Sequence, residues 1–506
     1  MEAFGVTTDW LRARARISPE ALALVSDGRR WRFGEMDALA SALAGHLWAE
    51  GARPGDHVAV LLPNTLTAVV APFALARLGA VMVPLNTRLP AGEVAWQVAQ
   101  ADARVLLLCG RTAAQATGVP PAVRRLVLPA DAAAFDAWAH ALPPTPPRPS
   151  PAPGLDRVQA ILFTSGTTGY AKGAMVTFAN HFWSAVGSAF RLGGAVDDRW
   201  LACLPLYHVG GLAVLFRACL YGTAVVLHDG FDVAAVRHSL QHDSVTLVSL
   251  VPTMLVRLLH EGFAAREAPA LRLVLLGGAA APASLLAEAR AAGVPVAVTY
   301  GLTEAASQVA TLLPDGAAAK PGSAGRPLLF TDVAVIDEAG QTLPPNTPGE
   351  IVVAGPTVMA GYYRDEAATA AALRDGRLHT GDIGLLDGDG DLWLLDRRAD
   401  LIVSGGENVY PAEVERVLRE HPAVALAAVV GLPHPEWGQQ VAAAVVLRQP
   451  GAATTEELLA HCRARLAGYK RPRRLRLVDE LPQTASGKIQ RRLVATAWPA
   501  EEPEAA

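Results

Sequence analysis

The stretch LFTSGTTGYAKG, Leu162 to Gly173, sets Thr164, Ser165, Thr167 and Thr168 among glycines and brings in Lys172, directly after an apolar run. Glycines and small residues let backbone N–H groups come close to an anion, hydroxyls add donors, and a lysine adds a mobile positive charge. That is the chemistry of a polyphosphate grip. The G-x-x-x-x-G-K-[ST] spacing of a Walker A loop does not occur here, and the stretch alone reads equally as a Gly/Ser/Thr turn. Two further places concentrate polar chemistry. Thr303 and Glu304 in YGLTE set a hydroxyl beside a carboxylate, a pair that also fits a helix start with Thr as cap. Lys488 in LPQTASGKIQRR reads, by itself, as an exposed lysine in a basic tail.

These residues need elements to hold them. With 506 residues, 51% of them apolar, the chain can build more than one core. No segment offers the roughly 18 uninterrupted apolar residues of a membrane span. The nearest, AVVAPFALARLGAVMVPL, is broken by Arg77 and two prolines and reads as a buried helix followed by a buried strand. The opening MEAFGVTTDWLRARARISPE has no apolar core behind a basic head, so a cytoplasmic protein is expected. A formal charge of −4 gives no electrostatic case for nucleic acid. Cys109, Cys203, Cys219 and Cys462 form no CxxC pair and read as buried, reduced thiols.

Before Ala141, helix-like stretches alternate with short apolar strands (HVAVLLP, VMVPLN, ARVLLLCG), the pattern of a layered α/β domain. The proline-dense ALPPTPPRPSPAPG, Ala141 to Gly154, reads as an extended surface connection. Beyond it VQAILFTSG, RWLACLPL, TAVVLHDG, VTLVSLVP, LRLVLLGGAAAP and VPVAVTYGLTE are strand candidates, several apolar throughout, as parallel strands covered on both faces are. Many end in Gly, Ser or Thr, and in open α/β sheets ligands bind beyond the carboxyl ends of strands. From Gly325 to Asp396 short strands and acidic turns such as DGDGDLWLLD suggest a β-rich subdomain, and a smaller α+β block follows. The expected division is an N-terminal domain over 1–396 and a C-terminal domain over 400–506, with a hinge near 397–400.

TSGTTG.AKG, YGLTE, TGD (Thr380 to Asp382), DRRADLIVSGGENVYPAEVE and ASGK (Ala485 to Lys488) follow one another in the order and spacing seen in adenylate-forming enzymes. On these five motifs the chain resembles the superfamily of acyl-CoA synthetases, luciferases and peptide-synthetase adenylation domains, along essentially its whole length. The resemblance implies an α/β fold: a large N-terminal domain of layered α/β subdomains plus a β-rich subdomain, and a small mobile α+β C-terminal domain that rotates between half-reactions. A carboxylate would attack the α-phosphorus of ATP, and the thiol of coenzyme A would then displace AMP. Thr164, Ser165, Gly166, Thr167, Thr168, Gly169 and Lys172 would cover the β- and γ-phosphates. Thr303 would meet the α-phosphate and Glu304 would hold Mg²⁺. Tyr300 would stack on adenine, Gly278 and Gly301 would border the nucleotide, Asp382 would accept from the ribose hydroxyls, and Arg397 would reach ribose or phosphate. Lys488 would bridge the attacking carboxylate and the α-phosphate, a task worth on the order of 10²–10³ in rate. For the thioester step, Gly405 and Gly406 would line the pantetheine tunnel, Trp437 would stack on the CoA adenine, and Tyr469, Arg471 and Arg473 would meet its phosphates. Ala171 stands where the family loop usually has proline, and Ala399 where the hinge usually has Asp or Lys.

Asn180 to Asp232, together with DWLRARARISPEALAL and GSAGRPL, is similar to one group within that superfamily, the o-succinylbenzoate-CoA ligases of menaquinone biosynthesis. The implied acid pocket draws on the segments around His208, Leu250 to Leu255, Gly277 to Pro282 and Gly301 to Gln308. His208 would gate or line it, and Ser307 and Gln308 are expected near the acid's second carboxylate. Gly210 stands where close relatives often have serine. The alternatives are another acyl- or aryl-CoA ligase, acting on a medium-chain or benzoate-type acid, and a non-catalytic nucleotide-binding homologue. The presence of Lys488, Glu304 and Asp382 weighs against the last, and homo-oligomerisation is left open.

Overall fold

The computed structural model describes residues 7–143, 154–165, 171–279, 281–317, 319–396, 401–482, 489 and 491–498. Contacts divide the chain into two compact units. The first comprises Met1–Thr87, Ala91–Phe163 and Gly173–Asp396, and the second Arg88–Pro90, Thr164–Lys172 and Arg397–Ala506.

Both sheets of the first unit follow from apolar runs between turn residues. In the six-stranded sheet the order is Arg124–Val127, Ala103–Leu108, His57–Leu61, Val81–Pro84, Val158–Ser165 and Ala171–Thr177. The larger sheet is parallel at its centre, where Leu273–Leu276 lies between Leu247–Leu250 and Val296–Leu302, with Val274 opposite both Val248 and Val296. All eight residues of the first two of these strands are buried, as largely apolar strands under helices should be; the one polar side chain, Ser249, accepts from the Trp200 indole N–H at 2.9 Å. Ser307–Leu312 then turns back antiparallel and leads through Ser323–Pro327 into Leu392–Asp396, Arg377–Leu386, Gly349–Ala354 and Asp332–Ile336. The β-rich region expected from Gly325 thus begins a strand earlier, at Ser307.

The nearest approach to a membrane segment is a core element. Helix Leu66–Leu78 is capped by Thr65, whose hydroxyl accepts from the Ala68 N–H at 3.3 Å, and ends on left-handed Gly79. Fully burying one of its leucines contributes about 1.5–3 kcal/mol. Arg77 is tolerated at its end because Asp9, at 2.8 Å, and Asp37 pair with the guanidinium. Among the described residues no helix is long and apolar enough to cross a membrane. All four cysteines are buried and free. Burial pushes the thiols of Cys203 and Cys219 up to about 12 and that of Cys462 to about 11, so none is a nucleophile at neutral pH.

The acidic turn DGDGD is a cross-link. Asp387, Asp389 and Asp391 surround the Lys320 ammonium at 2.7, 2.7 and 2.5 Å. The hydrogen bonds that the ammonium donates to these carboxylates hold the Lys320 pKa above its ordinary value.

In the second unit a five-stranded sheet contains the hairpin Ile402–Ser404/Glu407–Val409 and the long pair Val424–His434/Gly438–Leu447. Helix Pro411–Arg419 presents Glu413 to the Lys470 ammonium at 2.7 Å, a buried pair, and Glu415 to the Val429 N–H at 2.9 Å and Arg491 at 2.8 Å.

Candidate active site

Leu250, Leu276 and Leu302 end three neighbouring parallel strands, so the segments that follow them share one edge of the sheet. After Leu302 comes a single 3₁₀ turn, Thr303–Ala305, with Leu302 in the capping position. Thr303 therefore opens the turn instead of capping a helix. Ala306 and Ser307 follow with φ of 52° and 100°, and the register slips between Tyr300 and Gly301. A Cβ on Gly301 would lie 1.7 Å from the Ser307 carbonyl oxygen, so only glycine permits this bulge. Gly278 has φ of 80°, which glycine adopts without strain.

Glu304 is held from two sides. Its carbonyl accepts from the Met359 N–H at 2.9 Å, and its carboxylate Oε1 accepts from the Tyr362 hydroxyl at 2.9 Å. A half-exposed carboxylate oxygen is the hard donor that Mg²⁺ takes when substrate phosphates supply the rest of its shell. Asp382 is fixed in turn: the Tyr300 hydroxyl donates to Oδ2 at 2.6 Å, and the Asp382 N–H donates to Thr380 Oγ1 at 3.0 Å. Tyr300 is only 2% exposed, so its expected role as an adenine platform meets a buried ring whose hydroxyl holds Asp382.

His208 is exposed. It stands just before helix Val209–Tyr221, its ring edge-on to Tyr207 at 4.7 Å. The preceding loop is clamped by Asn64, which donates to the carbonyls of Leu204 and His228 at 2.9 and 3.1 Å and accepts from the Leu206 N–H at 2.9 Å. Gly211 lets that loop close, since a Cβ there would lie 2.3 Å from the Pro205 carbonyl oxygen. Gln308 is 1% exposed; its amide N–H donates to Thr311 Oγ1 at 3.0 Å, within the layer between strands, and its buried Oε1 has no hydrogen-bond partner among the described residues.

Sequence reasoning missed Arg217, buried in the middle of the apolar helix Val209–Tyr221. It donates to Ser184 Oγ at 3.3 Å, and Ser184 donates to the Ala306 carbonyl at 2.7 Å, which links the guanidinium to the bulge after Glu304. Arg217 Nε has no hydrogen-bond partner and no carboxylate pairs with it among the described residues. Burial lowers its affinity for the proton. Beside it, burial first and then the Arg217 charge push His181 down to about 3, so that imidazole is neutral. The signal was in the string VGGLAVLFRACLY, where the arginine is the sole charge.

Of the phosphate stretch, Thr164 donates to the Lys172 carbonyl at 3.5 Å, and Ser165 ends the strand Val158–Ser165. Gly166, Thr167, Thr168, Gly169, Arg397 and Lys488 lie outside the described residues.

In the second unit Gly405 and Gly406, with φ of 59° and 82°, form the two-residue turn of their hairpin, a left-handed pair suited to glycine. The Gly405 N–H donates to the Trp437 carbonyl at 3.0 Å. Trp437 is stacked with His434 at 4.7 Å, and the Arg473 guanidinium lies 3.2 Å from its ring centroid. Tyr469 is half-buried, in the 3₁₀ turn held by the Lys470–Glu413 pair. Arg471 departs from expectation: its guanidinium donates to the carbonyls of Leu466 and Arg463 at 2.9 and 3.1 Å, closing the end of helix Thr455–Arg463 instead of facing a phosphate.

A carboxylate suited to Mg²⁺, an aspartate held by a buried tyrosine and an exposed histidine, carried on an α/β sheet, fit a nucleotide-dependent, acid-activating enzyme. The chain belongs to the AMP-binding enzyme family, whose model matches residues 11–363, and the model of the AMP-binding enzyme C-terminal domain matches 413–488. It is 43% identical to a 2-succinylbenzoate-CoA ligase of Bacillus licheniformis, over 96% of this chain and 98% of the relative. A structure of a double mutant of o-succinylbenzoate CoA synthetase from Bacillus subtilis, bound with its product analogue, is similar at a TM-score of 0.89 and 40% identity, covering 96% and 98% of the two chains. The same Bacillus subtilis enzyme with ATP and magnesium ion matches at 0.73 and 40%, again over 96% and 98%.

Proposed function

We propose that this protein joins 2-succinylbenzoate to coenzyme A through an acyl-adenylate, consuming ATP and releasing pyrophosphate and AMP. The observation that carries the reading is Arg217. A fully buried guanidinium without a carboxylate partner among the described residues is costly to keep, and its link through Ser184 to left-handed Ala306 sets it behind the turn bearing Thr303 and Glu304. An acid with two carboxylates supports that arrangement: one is activated at phosphorus and the other offers the missing counter-charge to Arg217. A monocarboxylic fatty acid would leave the guanidinium unpaired.

In the first step a carboxylate oxygen of the acid attacks the α-phosphorus, the bond to the bridging oxygen breaks, and pyrophosphate leaves. Thr303 donates toward the α-phosphate and Lys488 bridges the two anions that must meet. Glu304 would hold Mg²⁺, whose charge would offset that of the pyrophosphate. Asp382, held by Tyr300, fixes the ribose, and the Thr164–Lys172 stretch grips the outer phosphates. In the second step the CoA sulfur attacks the acyl carbonyl and AMP departs. Gly405 and Gly406 leave room for pantetheine, Trp437 and Tyr469 face the nucleotide end, and Arg473 supplies the charge for its phosphates. His208 closes the acid pocket against water. The unit boundary at Asp396/Arg397 supports a pivot near 397–400. The same reading carries a cytoplasmic location, supported by four buried free thiols.

The test incubates the protein with ATP, CoA, Mg²⁺ and a panel of acids, following AMP and acyl-CoA. Turnover of 2-succinylbenzoate well above benzoate and medium-chain acids is expected. Efficient use of medium- or long-chain acids with none of 2-succinylbenzoate would sink the reading.

A further inference from the structure

The loop Met359–Tyr363 touches both the metal carboxylate and the strand that returns from the phosphate stretch. Met175 N–H donates to the Gly361 carbonyl at 2.8 Å, Ala360 N–H to the Met175 carbonyl at 2.9 Å, and Tyr363 N–H to the Gly173 carbonyl at 2.7 Å. Ala174 and Tyr362 form an antiparallel bridge. Two glycines make this fit possible. A Cβ on Gly361, whose φ is 131°, would lie 2.8 Å from Thr369 Cγ2, and one on Gly173 would lie 2.6 Å from Ile161 Cγ2. Thr369 further pins the loop by accepting from the Tyr362 N–H at 2.9 Å, and Asn180 donates to the carbonyls of Pro356 and Val358 at 2.9 and 2.8 Å. From this braced backbone the Tyr362 hydroxyl donates to Glu304 Oε1 at 2.9 Å.

We propose that Tyr362 is a positioning residue for the metal: its hydroxyl fixes the rotamer of the Glu304 carboxylate, in register with the strand Ala171–Thr177. The inference rests on the reading of Glu304 as metal ligand. A neutral phenol donating to one carboxylate oxygen orients the group without taking its charge, as partners behind metal ligands commonly do, and losing such a partner costs about 10- to 100-fold in metal affinity.

The experiment titrates Mn²⁺, followed by its electron paramagnetic resonance, into the full-length protein saturated with α,β-methylene-ATP, for the parent, Tyr362→Phe and Glu304→Gln. Melting temperature and metal-free nucleotide affinity serve as folding controls. Tyr362→Phe is expected to melt like the parent and bind the nucleotide equally, yet hold Mn²⁺ at least about tenfold more weakly, with a matching rise in the Mg²⁺ needed for half-maximal adenylation. Unchanged Mn²⁺ affinity in Tyr362→Phe, with Glu304→Gln weakened, overturns this inference alone. Unchanged affinity in Glu304→Gln overturns the metal assignment beneath it. A Tyr362→Phe protein that fails to melt cooperatively would make the hydroxyl a folding contact and overturn the inference as well.

Discussion

Among single residues, Arg217 sets stability against use most sharply. A buried charge with no counter-ion destabilises the folded state, and replacing buried ionic groups by apolar ones of similar volume often stabilises by about 1–4 kcal/mol. Arg217→Met should therefore raise the melting temperature. The same change removes hydrogen bonds to a charged ligand group, worth about 1.5–3 kcal/mol, so KM for 2-succinylbenzoate should rise roughly ten- to a hundredfold while weak turnover of benzoate stays as it was. Calorimetry and a two-substrate kinetic comparison check both halves; an equal loss on both acids would mean that Arg217 serves the fold and not the ligand. Tyr300→Phe is a narrower probe. It deletes only the donor that sets Asp382, so KM for ATP should rise several-fold, by about 0.5–1.5 kcal/mol, with a nearly constant kcat, as steady-state kinetics at saturating acid would register.

Individual elements were legible where physics is local. Largely apolar runs became the buried parallel strands Leu247–Leu250 and Leu273–Leu276, and Leu66–Leu78 became a buried helix despite Arg77. Contacts made by the fold across long separations were not legible: Tyr362 meets Glu304 across 58 positions. Nor was the use of Arg471, which closes a helix by folding back on Leu466 through a local turn. Two predictions belong to elements. Gly301→Ala would force a Cβ to within 1.7 Å of the Ser307 carbonyl, so the bulge must open; adenylation should fall by at least about tenfold, which a displacement of the turn by about 1 Å can exceed, while thermal stability drops by about 1–3 kcal/mol. An active, equally stable variant would show that the turn tolerates another backbone. Helix Phe178–Leu192 carries a pH dependence through His181. Its folded-state value of about 3 lies below the ordinary 6.5 because burial opposes the charged form, so the unfolded chain binds the proton first. Stability is unaffected above pH 6.5 and is lost as pH falls below it, by up to about 1.4 kcal/mol per unit. Denaturant melts of His181→Gln should show a shallower loss between pH 6 and 4 than the parent; identical slopes would place the acid sensitivity in other groups.

At the scale of the whole molecule, the proposed reading gives the two half-reactions different side chains of the second unit, Lys488 and Trp437, and that division makes the steps separable. Adenylation must bring a carboxylate against a phosphate, two anions that repel, and Lys488 is the cation assigned to that meeting. Thioester formation has no such encounter: a sulfur attacks a carbonyl and AMP, already formed, leaves. Lys488→Ala should therefore lower acid-dependent pyrophosphate exchange by roughly 10²–10³, while CoA ester formation from supplied 2-succinylbenzoyl-adenylate stays within a few-fold of the parent. Trp437→Ala should do the reverse. The indole packs against His434 and Arg473, and the Trp437 carbonyl accepts from the Gly405 N–H, so truncation loosens that corner and raises KM for CoA, by about 1–3 kcal/mol if a stacked base is lost, with pyrophosphate exchange intact. Measured together, the two variants form a crossed test. If each impaired both half-reactions to the same degree, a single rigid site would account for the kinetics, and the assignment of Lys488 to the first step and Trp437 to the second would fall.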